Sequence, residues 1–357
     1  MKALRSRGAV AAAVLAPAFL SGCLSITVPE YDVPDVDIRY DGRSRDEAIS
    51  TRGRGRAGEA VRSAALGGYD SLAHVAKPVQ LAAWLQSAKT GTPIPQATIG
   101  FYLDGKLLAQ SQTDEGGVAE APWVPLAAGV YRIEAKVLAA PKGVDRQTLR
   151  GPPAALVVSA QKLTAPLVVV DVDYCVYASR AKRVWLGSAK PMPGSISALV
   201  AIARRYPIVY LTRSPDELSP PTRRWLDQTG YPSGPVLLAG ASAPTDDARR
   251  FKSARLSDLT RSFPQLKAGV FRKDTDAEVY AGRGAAAFLL AKDDDDDPDD
   301  LRKYARQIRR LSPRINVVDR WNDVAAGLLQ ARQYPPEAFA RRLELQADRI
   351  QARQNRD

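Results

Sequence analysis

Six short apolar segments alternate with helical stretches between residues 164 and 333, and this alternation restricts the fold more than any other feature. The apolar runs are continuous, as expected for strands that are covered on both faces. Strands joined by helical crossovers form a parallel sheet with helices on its two sides. The predicted strands are Leu167 to Val170, Ile208 to Leu211, Val236 to Leu238, Ala268 to Phe271, Ala285 to Leu290 and Ile315 to Val318.

A different period precedes this α/β region. Between residues 71 and 160, short alternating runs are separated by turn residues, which predicts antiparallel strands. Asp104 and Gly105 favour a tight hairpin between two of these runs, because such turns need a positive φ. We therefore expect a small all-β sandwich, immunoglobulin-like or transthyretin-like, over residues 71–160 and an α/β domain over residues 164–333. Residues 334–357 carry a helical apolar stripe that either packs on this domain or binds a partner.

The first 23 residues have the pattern of an export signal. A basic start precedes an apolar run, residues 9–20, that is too short to span a bilayer. The run leads through Leu-Ser-Gly to Cys23, which resembles the lipobox of a bacterial lipoprotein signal peptide. The resemblance implies cleavage after residue 22, lipidation of Cys23 with palmitate, and a place in the bacterial cell envelope. Leu24 follows the cysteine, and by resemblance to enterobacterial sorting signals this residue favours the periplasmic face of the outer membrane. An ordinary secretory signal with a chance cysteine is the alternative.

Residues 23–70 have the composition of a tether or linker, rich in Arg, Gly and Pro, with a short helix expected at residues 59–66. The whole chain has 51 Lys+Arg and 39 Asp+Glu, a net charge of +12 that falls to +9 when residues 1–22 are removed. This charge suits a membrane surface reached through the anchor better than nucleic acid, since no nucleic-acid module is visible. One His and two Cys exclude a His-rich metal site and a zinc ribbon.

The chemistry-bearing residues follow the predicted strands, at the edge where open α/β sheets bind ligands. Asp171 and Asp173 follow the first strand, so that one carboxylate can attack an electrophile while the other manages a proton. The alternative is that both cap the next turn. Thr212, Arg213 and Ser214 follow the second strand and offer a hydroxyl and backbone amides to a phosphate.

Two later features extend this set. Lys252 lies near the start of a helical stretch and supplies a cation for charge that develops on a phosphoryl group. Asp274 and Asp276 follow the fourth strand, where a divalent ion could bridge them to Asp171. An acid pair, a hydroxyl, a lysine and an acid, in that order at successive strand ends, form a much rarer pattern than any one member.

With these motifs in place, residues 166–290 resemble the catalytic domain of the haloacid dehalogenase superfamily, most closely its lipin-type and related phosphatidate phosphatase branch. A β-sandwich can precede the catalytic domain in that family. The matching segments are Val170 to Asp173, Pro191 to Gly194, Tyr210 to Pro215, Pro232 to Leu238, Phe251 with Lys252, and Asp276 to Tyr280.

The resemblance implies a magnesium-dependent phosphomonoester hydrolase acting on a phosphorylated small molecule or a lipid phosphate such as phosphatidate. Asp171 would be the nucleophile and Asp173 the acid, then the base, with Lys252 stabilising charge. Thr212, together with Arg213 and Ser214, would bind the substrate. The Mg2+ ligands would come from Asp171, Asp173, Asp276 and Asp274.

Two departures from the family pattern leave a second interpretation open. Cys175 stands where the family usually has Thr, and a thiol is a weak hydrogen-bond donor. Phe271 and Arg272 stand where it usually has Gly-Asp or Gly-Asn, and a cation there opposes magnesium binding. A non-catalytic, phosphate-binding or structural envelope module is the alternative function. The sequence names no protein partner.

Overall fold

The computed structural model describes residues 63–149, 151–177, 183–184, 186–212, 219–238, 248–291 and 296–355, with side chains omitted for residues 248–252. All of these residues belong to one compact unit. Several predicted features lie outside the described residues: the signal peptide 1–22, the lipidation site Cys23, most of the tether 23–70, and both Arg213 and Ser214.

Two facing sheets form the N-terminal part of the described chain. Their strands are β1 (Ala64–Tyr69), β2 (Ser71–His74), β3 (Val79–Ser87), β4 (Thr98–Leu103), β5 (Lys106–Gln112), β6 (Val118–Trp123), β7 (Gly129–Ala139) and β8 (Ala154–Gln161). One sheet has the order β1-β3-β6 and the other β2-β8-β7-β4-β5, antiparallel except where β2 pairs with β8. Leu81, Phe101 and Ile133 belong to the buried core that both sheets share. The turn between β4 and β5 has the predicted positive φ, 49° at Asp104 and 79° at Gly105.

Strand structure begins earlier than the sequence indicated. β1 starts at Ala64, inside the segment predicted as tether, so residues 64–66 form a strand and not the end of the short helix suggested for residues 59–66. A Cβ on Gly67 would lie 2.2 Å from ring atoms of Trp84, so this glycine lets β1 approach β3 closely. The strand therefore depends on a neighbour seventeen positions away, which local periodicity does not reveal. A turn at residues 75–78 separates β2 from β3.

A six-stranded parallel sheet follows, with the order β11-β10-β9-β12-β13-β14. Its strands are β9 (Val168–Asp171), β10 (Ile208–Leu211), β11 (Val236–Leu237), β12 (Ala268–Phe271), β13 (Ala286–Leu290) and β14 (Ile315–Val318). The described helices are α1 (Ser195–Ala203), α2 (Ser219–Thr229), α3 (Ala248–Ser262), α4 (Asp274–Ala281), α5 (Pro298–Arg309), α6 (Trp321–Gln330) and α7 (Pro336–Gln354). Side chains of α3, α4, α5 and α7 cover one face, and those of α1, α2 and α6 the other. The predicted α/β architecture with a parallel sheet is confirmed.

Two helices at the C-terminal end complete these faces. α6 was not predicted, although Trp321, Val324 and Leu328 have helical spacing and are buried. The predicted stripe of α7 packs through Phe339 and Leu343 into the same core as α5. Of the helices in the described ranges, none has the length and apolarity needed to cross a membrane.

The sandwich and the parallel sheet are packed together. Leu72 of β2 lies in the core cluster of the α/β region. The ring of His74 stacks on Phe263, the residue directly after α3, with centroids 4.4 Å apart. Asp70, between β1 and β2, forms a buried ion pair with Arg223 of α2. The sandwich is therefore joined to α2, the helix that follows β10.

Candidate active site

Asp171 is the last residue of β9, a central strand of the parallel sheet. β9 lies between β10 and β12, all four of its residues are buried, and Asp171 is only 1% exposed. In the sheet register Asp171 pairs with Leu211, the last residue of β10. Because parallel strands end at a common edge, Thr212 after β10 and Arg272 after β12 lie at the same edge of the sheet as Asp171.

A tight turn brings a second carboxylate to the same edge. The backbone N–H of Asp173 donates to Oδ1 of Asp171 at 3.2 Å. Tyr174 follows with a φ of 67°, a left-handed conformation that is uncommon for a residue with a side chain. Such a conformation costs about 1–3 kcal/mol and persists only where the surroundings enforce it. Both carboxylates are buried, since Asp173 is 6% exposed.

Two hydroxyl groups converge on Asp173. The Tyr177 hydroxyl donates to its Oδ1 at 3.0 Å, and the Thr212 hydroxyl donates to the same oxygen at 3.1 Å. Thr212 was predicted to hold a phosphoryl oxygen, and in this structure its hydroxyl donates to the acid. Tyr177 was not predicted, and only its place four residues after Asp173 could have indicated it. The two donors fix the direction of the Asp173 carboxylate.

Buried tyrosines flank the acid pair. Burial, and then the negative charge of Asp173, raise the pKa of Tyr177, so this side chain remains a protonated donor. Burial likewise raises the pKa of Tyr280, and the charges of Asp171 and Asp276 add to the effect. Within the described residues, the Tyr280 hydroxyl has no hydrogen-bond partner. Its hydroxyl therefore lies in the electrostatic field of Asp171 without being bonded to it.

The predicted four-carboxylate metal site is not formed. Nowhere in the described ranges do three His, Cys, Asp or Glu side chains lie close enough together to hold a metal ion. Asp274 is exposed at the first turn of α4, where its carboxylate accepts from the backbone N–H of Thr275 at 2.7 Å. Asp276 is buried on the same helix. Neither therefore joins Asp171 and Asp173 in one ligand group.

An aromatic side chain takes the place beside Asp171. The register pairs Val270 with Val170, so Phe271 is level with Asp171 on the neighbouring strand. The Phe271 ring packs on the ring of Tyr280, with centroids 4.3 Å apart. The family usually has Gly-Asp or Gly-Asn at these two positions, and neither the phenyl group of Phe271 nor the guanidinium of Arg272 offers an oxygen to a metal ion.

Arg272 and Cys175, which depart from the family pattern, both have defined contacts in the structure. Arg272 donates to the carbonyl oxygen of Leu290 at 3.0 Å, at the end of β13, which is on the side of β12 away from Asp171. Cys175 is fully buried, with its sulfur 3.9 Å from the carbonyl oxygen of Val270. The carbonyl oxygen of Cys175 accepts from the indole of Trp321 at 2.8 Å. Cys175 therefore holds the loop after β9 through its contacts with Val270 and Trp321, and Arg272 contacts β13.

Of the four predicted magnesium ligands, Asp171 and Asp173 lie in one turn at the end of β9. Mg2+ is commonly bound through one or two carboxylates together with waters and the phosphate of a substrate. The pair suits an ion that is held jointly with such a phosphate, rather than in a cage of protein ligands. Lys252 belongs to α3, and its side chain is outside the described part of the structure.

Comparisons with known proteins give structural likeness at low identity. No protein-family model matches the chain, and no curated protein sequence is similar to it. The structure is similar to the D,D-heptose 1,7-bisphosphate phosphatase of B. bronchiseptica, crystallised with magnesium and phosphate, at 20% identity and a TM-score of 0.36 over 46% of this chain and 99% of that one. It is also similar to the PKD domain of an M14-like peptidase from Thermoplasmatales archaeon SCGC AB-540-F20, at 12% identity and a TM-score of 0.20 over 28% and 94%. The Lin-41 filamin domain matches at 19% identity and a TM-score of 0.18 over 28% and 96%. All three TM-scores are below 0.5, so the function proposed below depends on the residues of this chain.

Proposed function

We propose that the α/β region hydrolyses phosphomonoesters through a phosphorylated Asp171. One observation carries this proposal: Asp171 and Asp173 lie together at the carboxyl edge of a central strand, and hydroxyls of Tyr177 and Thr212 orient Asp173. A nucleophile with an adjacent, oriented acid is what a two-step displacement requires. The resemblance of residues 166–290 to the haloacid dehalogenase superfamily supports the same assignment.

In the first step, a carboxylate oxygen of Asp171 attacks the phosphorus of the substrate. The bond between phosphorus and the ester oxygen breaks, and the leaving oxygen takes the proton of Asp173 to form an alcohol. Asp173 is left as a carboxylate beside the phosphorylated Asp171. The two hydroxyl donors hold it in position for the second step.

In the second step, Asp173 takes a proton from a water molecule, which attacks the phosphorus. The bond between phosphorus and the Asp171 oxygen breaks, releasing inorganic phosphate and restoring both side chains. The net reaction consumes one water and yields one alcohol and one phosphate. Proton transfer by a positioned acid contributes about 10²–10⁴-fold in such reactions.

We propose Mg2+ as the cofactor, held by Asp171 and Asp173 together with the substrate phosphate. When bound, it neutralises charge on the phosphoryl oxygens. Lys252 is proposed to add a further positive charge, and Thr212, Arg213 and Ser214 to contact the phosphate.

A lipid phosphate is the proposed substrate class. The proposed acyl anchor at Cys23 would hold the site near a membrane of the bacterial envelope. Tyr174, directly after Asp173, is 43% exposed and offers an aromatic surface beside the acid pair. Aromatic rings suit the boundary between a polar headgroup and acyl chains.

The enzyme proposal is tested with the full chain and a panel of phosphomonoesters that includes phosphatidate, with Mg2+ or with a chelator. Asp171→Asn is expected to lower phosphate release by about a thousandfold or more. Asp258→Asn, the same substitution on the surface of α3, is the matched control and should leave the rate unchanged. Equal release by wild type and Asp171→Asn would contradict the proposal.

The anchor is tested separately. Wild type is expected to incorporate labelled palmitate and to sediment with membranes, and Cys23→Ser to do neither. A Cys23→Ser protein that still carries palmitate would contradict the lipobox assignment.

A non-catalytic, phosphate-binding envelope module is the second candidate. It is favoured by Phe271 and Arg272, which stand at the end of β12 where the family usually has Gly-Asp or Gly-Asn. Release of no phosphate from any substrate, combined with stabilisation of the chain by orthovanadate or phosphate, would support this candidate over hydrolysis.

A further inference from the structure

The edge of the parallel sheet opposite Asp171 is strongly basic. The connections that lead into the strands, residues 162–167, 204–207, 230–235, 263–267, 282–285 and 310–314, together with residues 331–335 after α6, contain no acidic residue. The same segments contain eight cations, all exposed: Lys162, Arg204, Arg205, Lys267, Arg283, Arg310, Arg314 and Arg332. We call this surface the amino edge.

Helix ends explain only part of this charge. Cations next to helix C-termini are favoured by the helix dipole by about 0.3–1 kcal/mol each, within the last turn. Arg204 and Arg310 directly follow α1 and α5 and fit that explanation. Lys267 and Arg314 each lie five residues beyond the end of the preceding helix, directly before β12 and β14. Their positions need another reason.

Lys267, Arg314 and a third cation, Arg332, line a cavity of about 470 Å³. Its walls include Phe288 and Leu328, which are almost completely buried. The volume lies within the range of about 300–1,000 Å³ that small-molecule sites have. Apolar walls under a rim of positive charges match a ligand with an anionic head and an apolar body.

Among the described residues, no acid neutralises the cations at the rim. In the described part of the chain, none of the eight amino-edge cations forms an ion pair with a carboxylate. Two of them lie near aromatic rings. Lys267 lies 5.9 Å from the ring centre of Tyr206, and Arg332 lies 5.5 Å from that of Tyr334. Unpaired guanidinium groups are well suited to a phosphate, which they bind through two parallel hydrogen bonds.

We propose that this cavity binds the phosphate-bearing head of an amphipathic anion through Lys267, Arg314 and Arg332. The strands of the sheet are about 13 Å long, so this site is separate from the Asp171 site at the other edge. It does not require that the Asp171 site be catalytic. The ligand is a phosphorylated metabolite or the headgroup of an anionic lipid, which share this chemistry.

Binding of two monomeric probes, glycerol 3-phosphate and dihexanoyl phosphatidate, to the full chain tests the proposal by calorimetry. Asp171→Asn and wild type are both titrated, so that binding at the Asp171 edge is recognised by its sensitivity to that substitution. Arg314→Gln with Arg332→Gln is expected to weaken the amino-edge binding by about tenfold or more, because two charge-assisted hydrogen bonds are lost. Arg204→Gln with Arg310→Gln removes the same charge outside the cavity and should change affinity by less than about twofold.

The probes distinguish the two sources of the ligand. Binding of both probes indicates a soluble phosphorylated ligand, and binding of the acylated probe alone indicates a lipid. Vesicles of phosphatidylcholine with and without phosphatidate provide the contrary test. Binding to the anionic vesicles without binding of either monomeric probe would overturn the proposal, because surface charge alone would account for it. Equal weakening by both Arg pairs, or no binding of any probe, would overturn it as well.

Discussion

The carboxylate of Asp70 and the guanidinium of Arg223 form a bidentate ion pair, with oxygen–nitrogen distances of 2.6 and 3.2 Å, buried between the β-sandwich and α2. Arg223 also donates to the carbonyl oxygen of Ala155 in β8 at 2.6 Å. Asp70 accepts from the backbone N–H groups of Val157 and Val236 at 2.5 and 2.8 Å. Burial raises the pKa of Asp70, and the Arg223 charge opposes that rise. One carboxylate thus joins a sandwich strand, a helix and the edge strand of the parallel sheet.

Loss of this carboxylate charge is expected to destabilise the protein strongly. Asp70→Asn should lower the free energy of unfolding by about 3–5 kcal/mol, because it leaves the buried guanidinium of Arg223 without its counter-ion. Chemical denaturation of the full chain measures this change.

Asp227→Asn is the matched control for Asp70→Asn. Asp227 of α2 also pairs with a sandwich residue, Arg132, at 2.8 Å, but that pair is exposed to solvent. Its loss should cost less than about 1 kcal/mol. Similar losses for the two variants would contradict the importance of the buried pair.

Stability is expected to depend on pH through His74, the single histidine. Burial and the nearby charge of Lys77 lower the pKa of His74 below its usual value of 6.5. The unfolded chain therefore binds more protons than the folded one once the pH falls below about 6.5, and folding stability decreases there. Denaturation midpoints measured between pH 7.5 and pH 5 test this, with the pH range chosen around the usual pKa.

His74→Phe should remove this part of the pH dependence. A phenyl ring can keep the stacking on Phe263 and has no proton to gain. The slope of stability against pH between about 5 and 6.5 is the quantity to compare. An unchanged slope would show that other groups, and not His74, titrate in this range.

Tyr280→Phe is expected to leave the free energy of unfolding unchanged or to raise it by about 1 kcal/mol. The Tyr280 hydroxyl is buried without a hydrogen-bond partner in the described ranges, so its removal loses no bond and ends a desolvation cost. Tyr210→Phe is the control, since the Tyr210 hydroxyl donates to the carbonyl oxygen of Pro232 at 2.9 Å. That substitution should lower stability by about 1–2 kcal/mol. Comparable destabilisation by both would mean that Tyr280 has a bonded partner.

Thr212→Val and Tyr177→Phe should each lower kcat by about tenfold or more, and Tyr177→Phe should change KM by less than about twofold. Each substitution removes one of the two donors that orient Asp173. The double variant should lose less than the product of the single effects, because both donors act on one oxygen.

Tyr231→Phe is the control for these two variants. The Tyr231 hydroxyl bonds to Ser195 and to the carbonyl oxygen of Val176, in the same loop but away from Asp173. It should lower stability while leaving kcat nearly unchanged. Equal losses of kcat in all three variants would point to a general loosening of the loop.

Much of the parallel sheet could be predicted from local pattern. The bounds predicted for β10, β12 and β14 coincide with those in the structure, and Asp171 ends β9. Strands buried on both faces are continuous apolar runs, so the first polar residue marks their end. The same rule failed for β1, whose strand character depends on close packing of Gly67 against Trp84.

The sequence by itself determined the α/β architecture and the place of Asp171 and Asp173 at the end of its first strand, because strand and helix periodicity are local properties. Only the tertiary structure decided which side chains meet there. It brought Thr212 to Asp173 across 39 positions and Arg223 to Asp70 across 153, and it set Phe271 beside Asp171. Such contacts depend on strand register and helix packing, which no local pattern encodes. The acid pair could thus be predicted from the sequence, whereas its hydroxyl donors and the separation of Asp274 from it are properties of the fold.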